Sequence, residues 1–208
     1  MMADQNMNDF LEVLSSSAPV PGGGGASAYA AAIGMSLGTM VANLTTGKKK
    51  YAEYQQEIEE VIVKSEALTK ELVTYMDKDA EAFEPLSKAY GLPKNTPEEL
   101  VVREEVMEKA LVVASEAPLA LMEKVLEAMK ILERLAVIGS ALAISDVGVG
   151  IQMAKAAPNG ASLNVFINTK LMKNEAVAED MNSKADELLA EGNDLADEIF
   201  DAVMDRIR

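Results

Sequence analysis

The sequence predicts an all-α fold, a single multihelical antiparallel bundle over residues 1–208. Three observations carry that prediction. Aromatic residues make up only 4% of the chain while Ala, Leu, Val, Met, Glu and Lys dominate, a composition of good helix formers. Apolar residues recur at intervals of three and four over long stretches, the period of a helix with one buried face. Gly, Pro and capping residues stand where those stretches stop, and the short connections they leave make neighbouring helices run antiparallel. No low-complexity linker divides the chain, and 208 residues suffice for a substantial core.

The elements follow in order. Residues 8–15 form a first short helix with Phe10, Leu11 and Leu14 apolar, and a loop ends in Pro19-Val20-Pro21-Gly22-Gly23-Gly24-Gly25. The second helix, from about 26 to 45, lies in a stretch uncharged from Ala26 to Thr46. A membrane helix has that look too, but the Ala, Ser, Thr and Asn content is weakly lipophilic and no second span accompanies it. A central bundle helix, and no membrane, is expected. Small residues at Ala30, Gly34 and Gly38 would admit another backbone, from within the chain or from a second copy.

A third helix runs from Glu53 to Tyr90 on the stripe Tyr54, Ile58, Val61, Leu68, Leu72 and Tyr75, continued by Phe83, Leu86 and Tyr90. Gly91 and Pro93 close it. Thr96-Pro97-Glu98-Glu99 is a capping box with Pro at the first helical position, opening a fourth helix that reaches Ile138, bends near Pro118 and stops at Gly139. A shorter helix from Ala143 to Ala157 precedes a turn at Pro158-Asn159-Gly160. Residues 161–170 alternate like a strand but have no partner strand, so they are assigned to helix; residues 175–206 form the last amphipathic helix.

Charge and missing residue types narrow the chemistry. With 19 basic against 34 acidic residues the net charge is -15, which argues against nucleic acid and requires a local basic patch for any anionic ligand. Lys48, Lys49 and Lys50 form the densest one. The chain has no Cys and no His, which removes disulfides, thiolate nucleophiles, Cys/His metal sites and histidine bases. Any catalysis rests on Asp, Glu, Lys, Tyr, Ser, Asn and backbone. The amino terminus lacks a charged-then-apolar signal pattern, so a cytoplasmic location is expected.

Four consecutive glycines at a helix start expose amides that favour an anion, although such a run also serves as a plain flexible connection. Neither nucleotide motif fits. Ser27 stands where the dinucleotide fingerprint needs its third Gly, and Lys49 where a P-loop needs Ser or Thr. A sharper anomaly lies on the third helix, where Leu68, Leu72 and Tyr75 are followed on the same face by Asp79 and then Ala82 and Leu86. A carboxylate buried without a cation has a raised pKa and suits proton transfer in both directions. The alternative is a carboxylate at a kink, paired with a Lys or capping a neighbouring helix. Asp77 falls around the helix, as a solvated charge. Ser145-Asp146 interrupts an apolar run, as a site or as an N-cap. Asn164 and Asn168 lie one turn apart, able to face one ligand or to cap neighbours, and Asn43 points toward whatever the lysines surround.

The ordered blocks Pro21-Gly22-Gly23-Gly24, Met40 to Thr45, Gly47-Lys48-Lys49-Lys50-Tyr51, Asp79 to Phe83, Leu92 to Thr96, Ser145-Asp146-Val147-Gly148 and Asn164 to Asn168 resemble the formiminotetrahydrofolate cyclodeaminase and methenyltetrahydrofolate cyclohydrolase family. The resemblance covers nearly the whole chain from Phe10 onward. It implies a homodimeric helical bundle that binds folate, with or without a polyglutamate tail, near the Gly-rich loop. No cofactor beyond the tetrahydrofolate carrier, and no metal, is implied. Asp79 falls on the family's catalytic aspartate. Lys48, Lys49 and Lys50 match its basic turn, which would meet the glutamate tail, with Lys49 assigned to the reacting centre. Ser145, Asp146, Asn164 and Asn168 fall on positions expected to shape the pterin pocket. Gly139-Ser140 departs from the family's usual Gly-Asn. The Gly-Gly-Gly-Gly variant and the lack of a transferase domain favour the cyclohydrolase over the ammonia-releasing cyclodeaminase, and a non-catalytic binding module is the remaining alternative.

Overall fold

The computed structural model describes residues 2–208. Its α-helices are α1 (Met7–Leu14), α2 (Gly23–Thr45), α3 (Gln55–Tyr90), α4 (Pro97–Ile138), α5 (Ile144–Thr169) and α6 (Glu175–Ile207), with short 3-10 segments at Met2–Asp4, Lys49–Tyr54 and Ala141–Ala143. No strand occurs among the described residues. The long helices α2 to α6 form the bundle. α2 lies at its centre, packed on α3 and α5, while α4 closes the layer behind them and α6 covers α4 and α5.

The core is made of the apolar stripes the sequence displays. Met35 of α2, Leu72 of α3, Leu132 of α4 and Ile151 of α5 are fully buried, each contributing about 1.5–3 kcal/mol by leaving water. α2 and α5 approach most closely where glycines meet: a Cβ on Gly34 would stand 2.6 Å from the Gly150 carbonyl oxygen. The small residues of α2 therefore serve a contact inside the chain. A second, smaller cluster of Leu86, Ala89, Leu111, Ala114 and Met172 holds the far halves of α3 and α4 together past the start of α2. The capping box at Thr96 forms as expected, the Glu99 N–H donating to Thr96 Oγ1 and the Thr96 N–H to Glu99 Oε2, both at 3.2 Å.

Three boundaries differ from the sequence reading. α2 starts at Gly23 rather than near 26, so the glycines belong to the helix instead of preceding it. A 3-10 segment precedes α3. The turn expected at Pro158-Asn159-Gly160 is absent, because α5 continues through it to Thr169. A proline inside a helix loses one hydrogen bond and costs about 3 kcal/mol, which burial of Ala157, Pro158, Ala161 and Val165 offsets. Gly192 of α6 packs beside the proline ring, and Asn159 Nδ2 donates to Asn193 Oδ1 at 2.9 Å across the same contact. Residues 161–170 are helical through Thr169, as assigned.

α2 is the one described helix long and apolar enough to cross a membrane by length and composition, and 56% of its most apolar window is buried inside the bundle.

Candidate active site

α3 brings its stripe across the start of α2. Leu68, Leu72, Tyr75 and Met76 are buried against the core, and Gly25 meets the Met76 carbonyl. One turn on, the same face delivers Asp79 to the first turn of α2. A Cβ on Gly24 would run into the Asp79 carboxyl group, so the close approach requires glycine at 24. The glycines thus favour an anion at a helix start, as their sequence suggests, and the anion is the protein's own carboxylate. Burial pushes the Asp79 carboxyl above the ordinary aspartate range, and the Gly25 N–H, which favours the ionised form, offsets this only in part.

Asp79 opens into a cleft of about 140 Å³ lined by Pro19, Val20, Gly22 and Gly23 from the loop, Phe83 from α3, Ala114 from α4, and Asn164, Ile167 and Asn168 from α5. Asn168 is buried and its Nδ2 donates to the Ala114 carbonyl at 3.1 Å, which leaves Oδ1 as the free acceptor. Asn164 donates to the Gly160 carbonyl at 3.2 Å and lies beside Gly23. Among the described residues no lysine or arginine lines this cleft. It offers one proton-accepting carboxylate, two amides and an aromatic edge.

The basic turn lies elsewhere. α2 runs for 23 residues between the two, roughly 34 Å at the usual helical rise. Lys48 Nζ donates to Ser140 Oγ at 3.0 Å, the Ser140 N–H donates to Thr45 Oγ1 at 2.8 Å, and the Ala141 N–H donates to Tyr51 Oη at 2.8 Å. Lys50 lies over the Tyr51 ring at 5.5 Å. The Ala141 amide lowers the Tyr51 pKa, with smaller help from Ser140 and Lys50. Lys48, Lys49 and Lys50 are exposed.

The expectation of one pocket is therefore corrected. Gly22, Gly23, Asn164 and Asn168 share the cleft with Asp79; Gly24 lies beneath the carboxylate, and Pro21 is buried against Gly25. Lys48, Lys49, Lys50, Ser145 and Asp146 stand at the opposite end of α2 in the same chain. Ser145 and Asp146 occupy the first turn of α5, whose N-cap position is Ala143, with no side-chain cap. Asn43 lines a different groove, with Ser36, Thr39, Glu66 and Lys70, and donates to the Thr39 carbonyl. Asp77 is not a solvated charge: its Oδ1 accepts from the Met2 N–H at 2.9 Å and its Oδ2 is buried. Phe83, one helical turn past Asp79, was a site residue the stripe could have supplied. Ala114 and Ile167 carry no such signal, since only tertiary packing brings them there.

Comparison with known proteins follows the same outline. A family model described as formiminotransferase-cyclodeaminase matches residues 6–187. The chain is 40% identical over 207 residues to a methenyltetrahydrofolate cyclohydrolase of Methylorubrum extorquens, each chain covered completely. It is 35% identical to the formimidoyltransferase-cyclodeaminase of Gallus gallus over 88% of this chain and 34% of that longer one. The crystal structure of a formiminotetrahydrofolate cyclodeaminase from Thermotoga maritima superposes over the full length of both chains with a TM-score of 0.88 at 25% identity.

Proposed function

The chain belongs to the formiminotransferase-cyclodeaminase family, and from that premise we propose that it is a methenyltetrahydrofolate cyclohydrolase, converting 5,10-methenyltetrahydrofolate and water to 10-formyltetrahydrofolate. The observation that carries the reading is Asp79, a desolvated carboxylate set against the Gly-rich helix start in a cleft with two asparagine amides. The full-length match to a relative of that name selects the reaction.

The methenyl carbon is an amidinium-like electrophile and needs little activation. A water held between Asp79 and that carbon attacks it, forming the C–O bond as Asp79 takes one proton. Asp79 then returns this proton to the departing ring nitrogen. The C–N bond breaks, the hydroxyl loses its proton to solvent, and the formyl group stays on the second nitrogen. A carboxyl with a raised pKa performs both transfers better than an ordinary aspartate near neutral pH. Asn164 and Asn168 orient the pterin edge, while Lys48, Lys49 and Lys50, exposed at the far end of α2, are available to folate carboxylates and not to the reacting centre of the same chain. The enzyme acts as a cytoplasmic homodimer with no cofactor beyond the folate carrier.

The second reading is the cyclodeaminase, favoured by the Thermotoga maritima structure, in which the same carboxylate would protonate departing ammonia. Purified protein mixed with 5,10-methenyltetrahydrofolate separates the two. Loss of the near-ultraviolet absorbance faster than the spontaneous rate is expected. No acceleration there, with ammonia released from 5-formiminotetrahydrofolate, would replace the hydrolase with the deaminase.

A further inference from the structure

The triplet Pro158-Asn159-Gly160 reads as a turn but lies inside α5, about one helical turn before Asn164. Each of its residues docks the helix on a neighbour. Pro158 packs beside Gly192 of α6, and Asn159 and Asn193 exchange side-chain hydrogen bonds, Nδ2 to Oδ1, at 2.9 Å in one direction and 3.4 Å in the other. Gly160 meets α2. A Cβ at Gly160 would stand 2.4 Å from Ser27 Oγ, closer than a side-chain carbon comes to any non-bonded atom.

That collision has no easy release. Ser27 is 7% exposed, and its hydroxyl donates to the Gly23 carbonyl at 2.8 Å. Turning the hydroxyl aside would break this bond and leave a buried polar group unpaired. Backing α5 away from α2 would disturb the Pro158 and Asn159 contacts with α6. The spacing between α5 and the start of α2 is therefore set where Gly160 meets Ser27.

The same contact belongs to a ring that runs through the cleft wall. Gly23 accepts from Ser27, Ser27 meets Gly160, and the Gly160 carbonyl accepts from Asn164 Nδ2 at 3.2 Å. Asn164 Nδ2 closes the ring, 3.6 Å from where a Cβ on Gly23 would stand. Gly23 and Asn164 both line the cleft onto which Asp79 opens. In a cleft of only about 140 Å³, a shift of one wall changes what can be held against the carboxylate.

From this ring we infer that Gly160 is a positioning residue for the reaction: by letting α5 close on Ser27, it fixes Asn164 against the Gly-rich start of α2 and so sets the width of the Asp79 cleft. The inference rests on reading that cleft as the folate site. Gly160 does not line the cleft and acts through Asn164.

The test compares wild type, Gly160→Ala, Ser27→Ala and the double variant, each well below its melting temperature. Gly160 is half-buried and Ala is the better helix former, so the single variant keeps its fold. Its turnover of 5,10-methenyltetrahydrofolate should fall about 10- to 100-fold, as a displacement near 1 Å at an orienting group does. Ser27→Ala removes the colliding oxygen, after which a Cβ at 160 meets only the residue 27 Cβ at 3.6 Å, an ordinary contact. The double variant should therefore turn over within about threefold of Ser27→Ala, a coupling that independent sites do not show. A Gly160→Ala protein that melts lower but turns over normally would reduce the glycine to packing and overturn the proposal. So would a double variant as slow as Gly160→Ala. The side-chain amide resonances of Asn164, assigned against Asn164→Asp, read the geometry without turnover: they should shift in Gly160→Ala and return in the double variant, and unshifted resonances overturn the proposal. A wild-type protein inactive on both folates would instead refute the proposed function, while these resonances still decide whether Gly160 places Asn164.

Discussion

The two ends of α2 solve opposite electrostatic problems. At the Gly23 end a carboxylate is withdrawn from water, set against backbone amides and given no cation. At the Thr45 end three lysines stay in solvent, Lys48 donating to Ser140 Oγ and Lys50 lying over the Tyr51 ring. Burial tunes the first group for proton transfer, and exposure keeps the second available to a ligand. Under the proposed function, a reaction centre and a binding patch differ in what packing does to their charges, and changes at the two ends should have different signatures.

The largest effect is expected from Asp79→Asn. Turnover should fall by about 10²- to 10⁴-fold with the helical circular dichroism unchanged. Its stability should move the other way. The folded-state pKa is raised, so the folded chain binds this proton more tightly than the unfolded chain, and stability is lost as pH rises through the folded value. The variant should therefore melt at or above the wild-type temperature near neutral pH, and the difference should shrink in acid. A variant that melts lower at neutral pH would show that Asp79 is a structural cap.

Gly24→Ala follows, because the added Cβ collides with the carboxyl group. A displacement on the order of 1 Å costs roughly 10²-fold in turnover, so kcat should drop even though the helix keeps its start. Normal kcat would mean that Asp79 need not sit where it does. Ser140→Ala probes the other end: freeing Lys48 should raise KM roughly 2- to 5-fold with kcat nearly constant, since an exposed charged hydrogen bond contributes modestly. The smallest effect belongs to Glu57→Gln. Its bidentate contact with Arg134, at 2.5 and 2.8 Å, holds α3 to α4 near the lysine end, but both side chains are about 40% exposed. Melting should register less than about 1 kcal/mol and turnover nothing.

How far each end was legible depends on whether a local pattern encodes it. Asp79 could be found because a helical stripe continues through it, and Asn164 with Asn168 because one turn separates them. Thr96 to Glu99 names its own capping box. The separation of the lysines from Asp79 was hidden, because sequence order says nothing about which end of α2 the middle of α3 crosses. Pro158 misled for the reverse reason: the local rule predicts a turn, and burial of four α5 residues against the bundle overrides it. Gly24 looked like part of a loop, and only the position of Asp79 explains why no side chain is tolerated there.

The most direct test of the central claim is a carbon-13 NMR titration of the Asp79 carboxyl, assigned by comparison with Asp79→Asn and run beside the pH dependence of turnover. The account predicts a midpoint above the ordinary aspartate value of about 3.9, coinciding with the acid limb of the rate profile. A midpoint at or below that value, with turnover insensitive to it, would contradict the assignment of Asp79 as the acid and base.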